Sequence, residues 1–240
     1  MEVHAHTHTS RKKWTHYFWE FLMLFLAVTL GFFVENQREH YIEHQREKQY
    51  IRTLIEDLRS DTAQLATSIT ERMQKENMID SLVFFLNSPE ASKQGSSIYY
   101  WGYSVLRPSR FIQNDRTIQQ LKNGGGMRLI RNKAVSNSIV DYDSKVKTLA
   151  IGEAQMNKLV LTFGLEKNKL FQNRLLDTLN SGFHDPPIAL LSQNKNEVEE
   201  FYNNMKDQRT IFSYIKRNDK DLLETGTRTI EFIKKEYHLE

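Results

Sequence analysis

The side chains best suited to chemistry in this 240-residue chain are histidines. His4, His6 and His8 alternate near the N-terminus. In an extended segment they share one side, and such tracts can hold transition metals. A disordered polar tail with weak, adventitious metal affinity is the simpler reading. His40 and His44 stand one helical turn apart, beside Glu43 and Glu47, a spacing that can bring two imidazoles to one metal. The glutamate placement of a helical zinc protease is missing, and a solvated helix face is the simpler reading, so no metal site is assigned. His184 and Asp185 are adjacent in a Pro-containing stretch and alone make no site. Gly124-Gly125-Gly126 lacks the preceding strand and the Gly-Lys-Ser/Thr ending of a phosphate loop. Neither Gly-x-Ser-x-Gly nor His-Glu-x-x-His occurs. With no cysteine, thiol chemistry and disulfides are excluded. The expectation is a protein that is not an enzyme and needs no cofactor.

Glu20 stands out because of its surroundings. It opens an apolar run from Phe21 to Val34, preceded by Trp14, Tyr17, Phe18 and Trp19. Aromatics of this kind favour the membrane–water interface, and with them the segment reaches the roughly 20 residues that cross a bilayer. Each Leu, Phe or Val favours insertion by about 0.3–0.6 kcal/mol, against about 3 kcal/mol for a central acid and less for one near the end. Residues 14–34 therefore read as a transmembrane helix. A buried helix of a soluble protein and a cleaved signal peptide are the alternatives, the second without a small-residue cleavage site. Wound at about 100° per residue, His16, Glu20, Ala27 and Gly31 share one side and Phe18, Leu22, Phe25, Thr29, Phe32 and Phe33 the other. Ala27 and Gly31 form a small-xxx-small pair that lets helices approach closely, and an intramembrane acid seeks protein or water. This face is expected to contact another transmembrane helix, from a second copy or a partner. A lone helix with Glu20 snorkelling to the interface is the alternative.

The elements beyond the anchor follow from apolar spacing. Residues 35–88 continue as a juxtamembrane helix with a stripe at Ile51, Leu54, Ile55, Leu58, Leu65, Ile69, Met73, Ile79, Leu82, Val83 and Leu86. Pro89 cannot continue it. Residues 89–131 read as a loop with an aromatic cluster, Tyr99, Tyr100, Trp101 and Tyr103, then a short helix and a glycine turn. The cluster either caps the end of a bundle or forms a partner patch. A second long stripe enters near Asn132 and runs through Val135, Ile139, Tyr142, Val146, Leu149 and Met156 to about Leu179. It breaks near 181–195, where Asn196 and Glu199 suggest a capping box. A third runs from Val198 to Tyr237, with Gly226 costing it up to ~1 kcal/mol relative to Ala.

Sustained period-2 alternation is absent, so the fold class is all-α: one N-terminal transmembrane helix followed by an elongated antiparallel, coiled-coil-like bundle. The 33 basic and 30 acidic residues nearly balance, and no basic stripe is interleaved with aromatics, so no nucleic-acid partner is expected. Arg11, Lys12 and Lys13 before the run favour a cytoplasmic N-terminal tail, residues 1–13, and an extracytoplasmic C-terminal domain.

The anchor ending in Glu35-Asn36-Gln37, the stretch from Tyr50 to Leu58, and Leu121-Lys122-Asn123-Gly124 with Leu129-Ile130-Arg131-Asn132-Lys133 and Ile139-Val140-Asp141-Tyr142 resemble an uncharacterised family of single-span, helix-rich inner-membrane proteins of Gram-negative bacteria. The resemblance covers a minor part of the chain. Relatives usually show a serine–glycine turn where this chain has Asn123 and three glycines. The resemblance implies an N-in anchor and supplies no catalytic residues. The functional expectation is a membrane-anchored structural or interaction protein, a subunit or accessory of an envelope complex or a homo-oligomer. A ligand-sensing periplasmic bundle that signals through a partner is the alternative.

Overall fold

The computed structural model describes residues 13–88, 95–107, 109–172, 190, 192 and 194–239. These residues form α1 (Trp14–Leu86), α2 (Gly95–Ser104), α3 (Arg116–Asn123), a 3-10 turn (Gly126–Leu129), α4 (Lys133–Leu170) and α5 (Lys195–Glu236). No strand occurs among them. The chain divides into two compact units, Met1–Gln49 and Tyr50–Glu240.

In the first unit, α1 carries a segment long and apolar enough to cross a membrane. Its most apolar window has mean hydropathy 1.9 and none of it is buried. The Thr29 hydroxyl donates to the Phe25 carbonyl at 2.7 Å, so its polar group needs no water.

The second unit is a helical bundle built from the rest of α1, α4 and α5. Pairing contacts give its directions. Tyr142 meets Asp61 and Glu153 meets Arg72 at the same sequence offset of 81, so α1 and α4 run parallel and in register. On α5, Asp219 meets Arg72 while Arg209 meets Asp80, so α5 is antiparallel to α1. It is antiparallel to α4 too, through Lys145–Asp221 and Lys169–Glu200. Two parallel neighbours need a long return connection, as in other crossover bundles. The chain between α1 and α4 supplies it, and its described residues bury Ile98, Tyr99, Val105, Phe111, Ile118 and Leu121 in the shared core.

Local chemistry sets the boundaries. Asn132 caps α4, its Oδ1 accepting the N–H groups of Ala134 and Val135 at 3.0 and 3.2 Å. Gly125 takes φ 65°, the left-handed conformation that suits glycine. Asn194, rather than Asn196, caps α5 and accepts the Asn196 N–H at 2.9 Å. The α4 helix stops at Leu170, short of the expected Leu179, because Phe171 turns extended and buries its ring; residues 173–189 lie outside the described residues. The expected aromatic loop is helical: α2 carries the cluster, because Ile98 and Tyr99 share a face that packs into the core.

Gly226 marks a close crossing of the long helices. A Cβ there would lie 2.9 Å from Thr62 Cγ2 on α1 and 3.1 Å from the Tyr142 ring on α4. All three long helices meet at this residue.

Candidate functional site

The most concentrated chemistry in the bundle is a ladder of buried charges. At its centre the Arg72 side chain is wholly enclosed. Its Nε donates to Asp219 Oδ2 at 2.6 Å and another guanidinium nitrogen donates to Glu153 Oε1. The Phe111 N–H donates to the same Glu153 oxygen at 3.1 Å. Each long helix thus contributes one member. Burial pushes the carboxyls of Glu153 and Asp219 above the ordinary range, with Arg72 opposing it. Asp219 Oδ1 is buried with no hydrogen-bond partner among the described residues. One cation facing two carboxylates can hold a proton, and a side-chain set from three helices can fix their register.

The next rungs tie the crossover to α1 and α4. Asp61 accepts the Tyr142 hydroxyl at 2.8 Å and the Asn114 N–H at 2.7 Å. Burial raises the Asp61 carboxyl despite these bonds, and raises the Tyr142 hydroxyl far above its usual value. Asp57 accepts the Thr117 N–H at 3.0 Å and pairs with Arg116 at 2.8 Å. On the other side of Arg72, Glu76 accepts the Ser213 hydroxyl at 2.7 Å and pairs with Lys216. Near the end of the bundle Lys167 sits over the Tyr103 ring at 3.5 Å, and burial lowers its ammonium to about 8.

The residues singled out from sequence fall elsewhere. His4, His6 and His8 lie outside the described residues. His44 Nδ1 is 3.2 Å from Glu47 and His40 Nδ1 is 4.0 Å from Glu43. Each imidazole therefore faces its own glutamate one turn on. Among the described residues no group of three or more His, Cys, Asp or Glu is placed to hold a metal. In the membrane-grade segment, His16 Nε2 lies 3.0 Å from Glu20 Oε1, a partner one turn away that lessens the cost of the acid. Gly31 has open space where a Cβ would point, and Ala27 is exposed.

The aromatic cluster does not form one surface patch. Tyr99 is fully buried, and its Oη accepts the Gln172 N–H at 2.9 Å. Trp101 is half-buried and stacks on Phe85 with ring centres 5.5 Å apart. Tyr103 is half-buried under Lys167, and Tyr100 alone of the four is exposed. The cluster closes the core because a helix cannot present four near-consecutive rings on one side.

A different surface is uncovered. On α4, Val140, Ile151, Leu161 and Leu165 are 51, 63, 73 and 68% exposed. With Ala154 and the exposed Lys158, the last three recur at three- and four-residue steps, the spacing of a helix-packing seam with one lysine in it. Between Thr148 and Leu165 the only charged residues are Lys158 and the buried Glu153. The core stripe of Tyr142, Val146, Leu149 and Met156 lies on the opposite side at about 100° per residue. The helix is apolar on both faces.

Fold and site define an all-α bundle with buried ionic rungs, attached in sequence to a helix segment of membrane-crossing length and polarity. No protein-family model matches the chain, no curated protein matches it, and no solved structure matches it.

Proposed function

We propose that this chain is a membrane-anchored interaction protein, a subunit or accessory of a bacterial envelope complex. The reading is carried by apolar surface that the fold leaves uncovered. The uncovered segment of α1 suits lipid. The outer face of α4 suits another helix, because exposed apolar surface of this continuity marks interaction sites. The buried ladder supports a scaffold reading, since its central members, Arg72, Glu153 and Asp219, are enclosed by the helices that carry them. The N-terminal tail is cytoplasmic and the bundle periplasmic, following Arg11, Lys12 and Lys13.

The experiment is gentle detergent extraction of the tagged full-length protein, sizing of the complex, and mass spectrometry of what co-purifies. The wild type runs as a complex of defined composition. The Ile151→Lys, Leu161→Lys, Leu165→Lys variant stays folded and loses it. A wild type that runs as a monomer overturns the reading. A phosphatase fused after Glu240 is active and a cytoplasm-only fluorescent fusion is dark; the reverse pattern inverts the topology.

A further inference from the structure

We infer that a cleft between α1 and the C-terminal end of α2 is a binding site for a small organic carboxylate with an apolar body. The cleft has a volume of about 310 Å³ and is lined by Lys75, Glu71 and Met78 from α1 and by Tyr100, Ser104 and Arg107 from α2 and the turn after it. That volume is at the small end of ligand pockets, roughly 300–1,000 Å³. It matches a molecule of one ring.

The lining carries more positive than negative charge. Lys75 is 8% exposed, and its Nζ donates to the Arg107 carbonyl. Neither Lys75 nor Arg107 has an ion-pair partner among the described residues. The one carboxylate in the cleft, Glu71, accepts the Ser109 hydroxyl at 2.6 Å. Burying an ammonium with only the exposed Glu71 to offset it is costly, and the arginine beside it adds repulsion. A bound carboxylate relieves both, with the planar guanidinium able to grip it through two parallel hydrogen bonds. Beyond the charges, the exposed Tyr100 ring and half-buried Met78 offer apolar contact for the rest of the ligand. The electrostatics of the cleft agree. Burial first, then Arg72 and Arg107 against an opposing Glu71, brings Lys75 down to about 8. A bound anion favours the ammonium, so binding above that pH takes up a proton and affinity falls as pH rises.

The test uses the full-length protein in lipid nanodiscs, with methionine methyl groups labelled for NMR and binding followed by titration. The probes are benzoate, its neutral isostere benzamide, and inorganic phosphate, which has charge without an apolar body. Benzoate is expected to shift the Met78 methyl saturably, with the other two at least about tenfold weaker. Benzoate affinity is expected to fall about tenfold in Arg107→Gln, which alters an exposed residue, and again in Lys75→Met. It also weakens between pH 7 and pH 9. Benzamide binding as tightly as benzoate would remove the charge argument and overturn the site. Phosphate binding equally would overturn the apolar part. No saturable benzoate shift, or one unchanged in Arg107→Gln, overturns the proposal whether or not Lys75→Met folds.

Discussion

Arg72 on α1 and Asp219 on α5 are 147 residues apart in the chain and joined by a 2.6 Å hydrogen bond inside the bundle. Breaking such a buried pair from one side leaves uncompensated charge and costs about 3–5 kcal/mol. Arg72→Met is therefore strongly destabilised, because Glu153 and Asp219 remain enclosed. The loss shrinks in acid, where protonation neutralises both carboxyls. The triple variant Arg72→Met, Glu153→Leu, Asp219→Leu recovers most of the stability, since apolar replacements of whole buried ion clusters are often neutral or better. Chemical denaturation of the three proteins at pH 7 and pH 4 checks both statements.

Lys167 makes a test in alkaline solution. Burial depresses its ammonium to about 8 from 10.5. A depressed folded value means the fold prefers the neutral amine, so this contribution to stability is fully present above the unfolded value and is lost as pH falls through about 8. Lys167→Met removes that dependence. Relative to the variant, the wild type should gain stability between pH 8 and pH 10.5, as read from paired thermal melts. The Tyr103 ring facing the ammonium limits the size of the effect and leaves its sign unchanged.

Gly226→Ala adds a better helix former, worth up to about 1 kcal/mol, at a position where the new methyl collides with Thr62 and Tyr142. Tyr142 is held by Asp61 at 2.8 Å and cannot move freely. Overpacking costs typically ~1–3 kcal/mol, so the variant is less stable overall. Thr62→Ser deletes the nearest methyl and keeps the hydroxyl that donates to the Arg59 carbonyl at 2.9 Å. The double variant should recover part of the loss, measured as a coupling in a double-mutant cycle.

The anchor has its own prediction. Glu20 and Gly31 lie on one side of the segment and Thr29 on the other, with Gly31 open. Gly31→Ile and Glu20→Leu weaken lateral association in the membrane, while Thr29→Leu leaves it intact. Crosslinking yield in native membranes reads this. Equal yields in all three variants would make the segment an anchor only.

Much of this architecture was legible as spacing. The stripes at Ile51–Leu58, Val135–Leu149 and Phe212–Leu222 became α1, α4 and α5, and the start of α4 was readable near Asn132. Two features were not. The parallel pairing of α1 and α4 depends on a crossover whose burial is long-range, and its helix α2 is rich in Ser and Gly, which locally signal a loop. The ionic ladder occupies positions that continue the apolar stripes: Asp61 after Leu58, Arg72 after Ile69, Glu153 before Met156, Asp219 between Ile215 and Leu222. A stripe reading prefers the neighbouring apolar residue, as with Met73, which is exposed while Arg72 turns inward. Charge recurring at core-face positions on all three helices was the available signal. The outer face of α4 was hidden similarly, because Ile151, Leu161 and Leu165 sit among core residues in sequence and opposite them in space.

The most direct test of the interaction reading is site-specific photo-crosslinking from that outer face. A photoreactive side chain at Leu161, in full-length protein in native membranes, should capture one protein in a single crosslinked band. The same group at Lys220, an exposed polar position on α5, should capture none, and Ile151→Lys with Leu165→Lys should abolish the Leu161 product. No product from Leu161, or the same product from both positions, would contradict an interaction surface on α4.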